Sequence, residues 1–527
     1  MEMFATAAFM VQIWLVSGQG PAHWNKQAQD SLERNLKITE NQNVAKNIIL
    51  FIGDGMGVST VTATRIYKGQ QNNLPGEETV LSYEQFPNVA LSKTYNTDYQ
   101  VADSAGTATA FLSGVKTKFG TVGVDESVEL NNCSTYTEQS KLDSIIQWAR
   151  AAGKSTGIVT TARVTHATPA AAYGHSVSRY WETDADLPPD ARGKCSDLAS
   201  QFIQYAKDID VVFGGGRRSF MRETDQDPEY ENKHGKRKDG RDLIQEWKDD
   251  KQNRGLTHEY VIDKSGFDSL DLKTQRVLGL FEHSHMRFEA DRSADRNGEP
   301  SLSEMVAKAI KILERNKKGY FLLVEGGRID HAHHASKAKL ALTESIEMEQ
   351  AIENSQKLTS SLDTLTVVTA DHSHVFTIGG YPVRGNPLFG LNTYESDLDG
   401  RPFTTLMYTN GPGFAVDKFG KRPNLKTVDT ESLAYVQESG VNIKEETHGG
   451  EDVAVYASGP MSHLFRGVIE QNYIAHAMGY AACIGSNKDH CRTTSGYDYL
   501  NSSNRGKVYS KSIYFVIALL QFCVILS

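Results

Sequence analysis

Thiols are scarce in this chain: five cysteines in 527 residues, at positions 133, 195, 483, 491 and 523. That excludes iron–sulfur clusters and all-cysteine zinc centres as the organising chemistry. Excess positive charge is also missing. The formal net charge is -9 and the isoelectric point is near 6.0, so there is no basic footprint for nucleic acid. A phosphorylated substrate would have to be held by metals or by a few placed arginines. No internal repeat or low-complexity tract stands out. Nor is there an uninterrupted apolar run of the roughly twenty residues that cross a bilayer; the C-terminal run Ser512–Ser527 falls slightly short.

Both ends read as processing signals. Met3–Val16 is mostly apolar and is followed by the small residues Ser17, Gly18 and Gly20, the pattern of a secretory signal peptide over residues 1–20, although Glu2 stands where a basic residue is usual. At the other end, Asn501, Ser502 and Ser503 precede a polar spacer, Asn504–Lys511, and then the apolar tail. That order predicts a glycolipid anchor attached at one of those three residues, with residues 502–527 removed. Loss of the tail takes Cys523 with it. The remaining Cys133, Cys195, Cys483 and Cys491 suggest two disulfides, for which three pairings are possible. Asn132-Cys133-Ser134 is a glycosylation acceptor pattern and fits a secreted chain.

Between the ends, short apolar runs recur at Asn47–Ile52, Thr156–Thr160, Asp210–Phe213, Tyr320–Val324, Thr364–Thr369 and Val453–Ala457. Segments of helical period, Ser140–Ala152 and Ser301–Arg315, lie between them. Strands alternating with helices predict one large α/β domain, residues 21–501, with a central, mostly parallel sheet covered by helices on both faces. Two stretches break the rhythm: a densely charged segment beginning at Met221, with an insertion spanning about 221–300, and a Gly-, Pro-, Asn- and Asp-rich segment at 381–447. Both are expected to be surface insertions.

Chemistry-bearing residues follow the apolar runs. Val324-Glu325-Gly-Gly-Arg-Ile-Asp330-His331-Ala-His333-His334 places five metal-capable side chains after one strand; Asp54 lies between Gly53 and Gly55 after another; Asp371, His372 and His374 follow a third. Near the C-terminus, Glu445-Glu446-Thr447-His448 precedes a strand. In open α/β sheets ligands bind beyond the carboxyl ends of strands. Asp, Glu and His in this mixture favour zinc, manganese or magnesium, and paired metals suit phosphoryl transfer. Ser104, in Asp103-Ser-Ala-Gly-Thr-Ala-Thr-Ala110, opens a segment of small residues that can begin a helix. It is a nucleophile candidate, though serine is also a routine helix cap. No Gly-x-Ser-x-Gly elbow surrounds it, which favours metal activation over a Ser-His-Asp triad.

Six motifs together resemble the alkaline phosphatases: Phe51–Gly57, Asp103–Ala110, Val164–Pro169, Val324–His334, Thr369–His374 and Thr447–Asp452. The resemblance implies two zincs, one magnesium and a phosphoserine intermediate. One zinc would be held by Asp330, His334 and His448, and the other by Asp54, Asp371 and His372 with Ser104. Magnesium would take Asp54, Thr168 and Glu325. Arg179 would grip the phosphate, with His166, His331 and His374 lining the substrate site and His374 orienting a neighbouring group. His166 and His331 match the animal branch of the family. His333 receives no role and is read as a surface residue.

The resemblance further implies a calcium site from Glu229, the Phe281 carbonyl, Glu282 and Glu299, within the 221–300 insertion. Glu299 replaces an expected Asp, after a short insertion near Ser293–Gly298. Disulfides Cys133–Cys195 and Cys483–Cys491 are implied as well. So are a crown-type insertion at 381–447 and an N-terminal helix, His23–Lys37, that embraces a second subunit in a homodimer. The expected activity is hydrolysis of small phosphomonoesters on the outer cell surface. A sulfatase is disfavoured because Ser104 lacks the Cys/Ser-x-Pro-x-Arg context. Phosphodiesterase, phosphomutase and non-catalytic binding roles are the alternatives that substrate tests separate.

Overall fold

The computed structural model describes residues 20–492; the signal segment 1–19, the anchor candidates Asn501, Ser502 and Ser503, and the apolar tail lie outside the described residues. Eight strands build most of the architecture: β1 Asn47–Gly53, β2 Asn88–Lys93, β3 Ser155–Arg163, β4 Val211–Gly215, β5 His258–Val261, β6 Arg276–Leu280, β7 Tyr320–Gly326 and β8 Thr364–Ala370. With Val453–Ser458 and Gly467–Glu470 they form one ten-stranded sheet. From one edge to the other the order is 467–470, β2, 453–458, β8, β1, β7, β3, β4, β6, β5. Only Val453–Ser458 runs antiparallel to its neighbours. The mostly parallel sheet expected from the apolar runs is therefore present.

Continuous apolar runs form the central strands because both faces of the sheet are covered. Every residue of β1, β7 and β8 is buried, as a sheet sandwiched between helices requires. Two large apolar clusters result, one on each face. Ile48, Leu50 and Leu323 belong to one, and the alternate residues Ile49, Phe51 and Val324 to the other. Helix Leu302–Leu313 starts where Ser301 and Glu304 cap each other's backbone, a reciprocal arrangement that satisfies two otherwise orphaned N–H groups. The helix expected from Ser140 begins only at Ile145, behind the Ser144 cap.

Registry within the sheet positions the chemistry. β1 lies between β7 and β8, with Gly53 opposite both Gly326 and Ala370. Asp54, Glu325 and Asp371 therefore emerge side by side at the carboxyl ends of these central strands. The antiparallel strand Val453–Ser458 starts at that end of the sheet, which brings His448, just upstream of it, to the same place.

The 221–300 segment is tied into the sheet, since it supplies β5 and β6. Its charged part also departs from a simple surface reading. Arg237 is fully buried because Asp197 and Asp239 pair with its guanidinium, and buried charge persists only when paired in this way. Residues 381–447 carry short strands: a two-stranded ribbon, Leu391–Glu395 with Pro402–Thr404, and two members of a three-stranded sheet begun by Phe376–Ile378. Disulfides Cys133–Cys195 and Cys483–Cys491 are both formed. Helix Pro21–Leu36 buries none of its own residues. Among the described residues no helix is long and apolar enough to cross a membrane.

Candidate metal centre and nucleophile

Ser104 is the first residue of helix Ser104–Ser113, but it is not the cap. Asp103 takes that role, its carboxylate accepting from the N–H groups of Ala105 and Gly106, each at 3.2 Å. Ser104 Oγ is thus left free. It lies 3.1 Å from His372 Nε2 and 3.4 Å from Asp54 Oδ1. Asp103 also accepts from Arg179 Nη1 at 2.9 Å, so one carboxylate fixes both the helix start and the arginine beside it. Arg179 Nη2 in turn reaches His166 Nε2 at 3.2 Å.

A second group surrounds Asp330. Its Oδ1 is 3.3 Å from His334 Nε2, 3.3 Å from His448 Nε2 and 2.8 Å from His374 Nε2. The tautomers of two of these rings are set by their outer nitrogens. His448 Nδ1 donates to the Ala102 carbonyl at 2.7 Å and His334 Nδ1 donates to the Glu446 carbonyl. Both Nε2 atoms therefore carry lone pairs, yet they lie 3.1 Å apart and face an anionic oxygen. Two imidazole lone pairs converging with no proton between them repel one another unless a cation sits there. An imidazole whose outer N–H is held by a carbonyl is also how protein histidines bind metal. The donor set at Asp330, His334 and His448 fits zinc.

Asp54, Asp371 and Glu325 make the same argument through charge. All three are fully buried and close together. Burial, and then the Asp371, Asp330 and Glu325 carboxylates, hold Asp54 well above the usual carboxylate range. Burial pushes Asp371 up in the same sense and carries Glu325 up to about 7. Asp54 Oδ2, Glu325 Oε1 and Thr168 Oγ1 are buried without hydrogen-bond partners. Unpaired buried oxygens of this kind are costly, and hard cations coordinated by oxygen remove the cost. His372 joins Asp54 and Asp371 in a second site, its Nε2 being 3.1 Å from Asp371 Oδ2.

A family model for alkaline phosphatase matches residues 45–484. The chain belongs to the alkaline phosphatase family. It is 53% identical over 481 residues to the tissue-nonspecific alkaline phosphatase of Gallus gallus, covering 90% of this chain and 92% of that one. To an alkaline phosphatase of Gadus morhua it is 52% identical over 474 residues, covering 89% and 98%. The fold resembles those of two bacterial alkaline phosphatases. For the enzyme of the Antarctic bacterium TAB5 the TM-score is 0.57 at 23% identity, covering 84% and 100% of the two chains. For that of Thermus thermophilus it is 0.61 at 22%, covering 87% and 97%. The protein is a phosphoric monoester hydrolase.

His333 departs from the surface reading. It is fully buried, 3.0 Å from Thr60 Oγ1 and 2.8 Å from Tyr408 Oη, so it joins helix Arg328–His334 to the segment holding Tyr408. Its spacing on the inner face of that helix was the available signal. His374, whose Nε2 meets Asp330, passes its other ring nitrogen to the carboxylate of Glu446. Burial lowers His374, but Glu446 and Asp330 outweigh it and raise the imidazole to about 10. The same three histidines, His334, His374 and His448, overcome burial at Asp330 and hold it well below the usual range. Glu446 was not singled out by its sequence, because nothing local distinguishes it from its neighbour Glu445.

In the 221–300 segment, Glu229, Glu282 and Glu299 are all buried. Glu229 Oε1 and Glu299 Oε2 have no partner. Burial and then Glu282 push Glu299 up to about 9. Burial also raises Glu229, to about 7, against the pull of Arg217. Asp295, from the short 293–298 stretch, joins them and pairs with Arg287 at 2.8 Å. An oxygen-rich, acidic enclosure of this kind fits calcium. Asn132 is exposed.

Proposed function

We propose that the enzyme hydrolyses phosphomonoesters in two in-line displacements at Ser104, with a phosphoserine intermediate. The observation that carries this is the uncapped Ser104 Oγ placed between His372, Asp54 and Arg179's partner Asp103 at a helix N-terminus, where free N–H groups and the dipole favour a phosphate. Zinc would be held by Asp330, His334 and His448 and by Asp54, Asp371, His372 and Ser104, and magnesium by Asp54, Thr168 and Glu325. When bound, these ions supply positive charge that acidifies a hydroxyl or water and stabilises attacking and leaving oxygens.

The chain's own groups position the reaction. Ser104 Oγ attacks phosphorus while the ester P–O bond breaks and the alcohol departs. Arg179 holds two non-bridging oxygens through its planar fork, and Asp103 keeps that fork in place. Water then attacks the phosphoserine, releasing inorganic phosphate and restoring the hydroxyl. His166 and His331 border the phosphate position. Calcium at Glu229, the Phe281 carbonyl, Glu282 and Glu299 has a structural role, tying the edge-strand segment together.

Trp24, Leu32 and Leu36 are exposed on a helix with no buried residue of its own, which supports a homodimer in which a second copy covers that helix. The signal segment and C-terminal tail support delivery to the outer cell surface on a glycolipid anchor, with glycan at Asn132. The decisive test is acid trapping after incubation with labelled phosphate. The wild type should carry label on Ser104, and Ser104→Ala should carry none. Label surviving in the variant, or turnover of phenyl phosphate unaffected by a chelator, overturns the proposal.

A further inference from the structure

A second histidine cluster stands beside the Ser104 site. His285, from the turn after β6, lies 4.1 Å from His331 between ring centres, and His166 is 5.3 and 5.4 Å from these two. All three residues are partly exposed. Three imidazoles so close would ordinarily suggest a transition-metal site.

Their hydrogen bonds point elsewhere. A metal-binding imidazole donates its outer N–H to an acceptor, as His334 and His448 do. Here the outer partners are arginines, which can only donate. Arg179 Nη2 meets His166 Nε2 at 3.2 Å, and Arg328 Nη1 meets His331 Nδ1 at 3.4 Å. Arg163 approaches His285 from both sides, its guanidinium at Nε2 and its backbone N–H at Nδ1. These donors occupy ring lone pairs, so the proton of a neutral His331 falls on Nε2. Among the described residues that nitrogen has no hydrogen-bond partner.

Charge reinforces the point. Arg163 is neutralised by Glu182 and Arg179 by Asp103. Among the described residues Arg328 has no carboxylate within ion-pair distance; it stacks over Phe288 at 3.7 Å, and its buried Nε is unpartnered. The cluster thus offers the His331 Nε2–H and the Arg328 guanidinium, whose charge Glu344, Glu299 and Glu282 offset only from beyond ion-pair distance, next to the arginine that clamps the transferred phosphate.

We propose that His331 and Arg328, with His285 packed against the His331 ring, form a subsite for a second anionic group, a carboxylate or phosphate, carried on the alcohol half of the phosphomonoester. His166 is the link between the two positions, touching Arg179 on one side and the other two rings on the other. The assignment rests on Arg179 holding the transferred phosphate.

Steady-state kinetics of the metal-loaded enzyme test it with 3-phosphoglycerate, its uncharged methyl ester, and propane-1,3-diol bisphosphate. The wild type should favour the free acid and the bisphosphate over the ester in kcat/KM. A response to only one of the two identifies whether carboxylate or phosphate is the group recognised. His331→Ala and Arg328→Met should each cut that preference roughly tenfold, the scale of one charge-assisted hydrogen bond. Arg179→Ala should depress all three substrates alike; if it does not, the clamp reading fails rather than the subsite. No preference in the wild type, a comparison that needs no variant, overturns the subsite. So does a preference that survives both variants, or loss of one bound zinc from His285→Ala.

Discussion

Glu446 receives a hydrogen bond from His374 Nδ1, while the opposite nitrogen of that ring lies 2.8 Å from Asp330 Oδ1. The backbone carbonyl of Glu446 also fixes His334. One buried residue therefore orients two groups at the proposed zinc site, and groups in this position typically matter 10–100-fold for metal affinity. Glu446→Gln, which keeps the shape and removes the charge, is expected to weaken zinc binding by about that factor in competition with a chromogenic chelator. Unchanged zinc affinity would remove the positioning role.

Asp103 serves the helix cap and Arg179 at once. Asp103→Asn keeps a capping oxygen and loses the ion pair, so the helix should persist while the clamp loosens. A charged hydrogen bond contributes about 1.5–3 kcal/mol, which predicts a rise of roughly 10–100-fold in the inhibition constant of inorganic phosphate. Circular dichroism should be unchanged. Phosphate inhibition equal to that of the wild type would show that Arg179 holds its place without Asp103.

Burial of His333 leads to a stability prediction distinct from catalysis. His333→Leu strands the Thr60 and Tyr408 hydroxyls, each at a cost of about 1–3 kcal/mol. Denaturant unfolding should register that loss. A variant as stable as the wild type would mean that these hydroxyls find other partners.

The acidic enclosure around Glu299 predicts a pH dependence of known sign. Glu299 and Glu229 have folded-state values of about 9 and about 7, against an ordinary 4.5. Between those values the folded state binds more protons than the unfolded chain, so stability falls as pH rises. After removal of calcium with EGTA and restoration of zinc and magnesium, the melting temperature should therefore decline from pH 5 to pH 9, and calcium should flatten the decline. A calcium-free protein whose melting temperature rises over that range would contradict the ligand set.

Much of this was legible along the chain. Asn47–Ile52, Tyr320–Val324 and Thr364–Thr369 announce doubly covered strands because burial on both faces demands unbroken apolar runs. Asp54, Glu325 and Asp371 follow those strands directly, so the position of the site needed only the rule that such sheets bind ligands at their carboxyl ends. The mixture of Asp, His and Ser pointed to metal-assisted phosphoryl transfer, the reading proposed above.

Tertiary structure decided what proximity in space controls. Which strand lies beside which placed Asp54 between Glu325 and Asp371, although they are hundreds of residues apart. It exchanged the roles of Asp103 and Ser104, making the acid the cap and leaving the hydroxyl free. It buried His333, recruited Glu446 and Asp295, and brought His285 against His331. Local sequence carries propensity and periodicity, but a hydrogen-bond partner contributed by a distant segment leaves no trace in either.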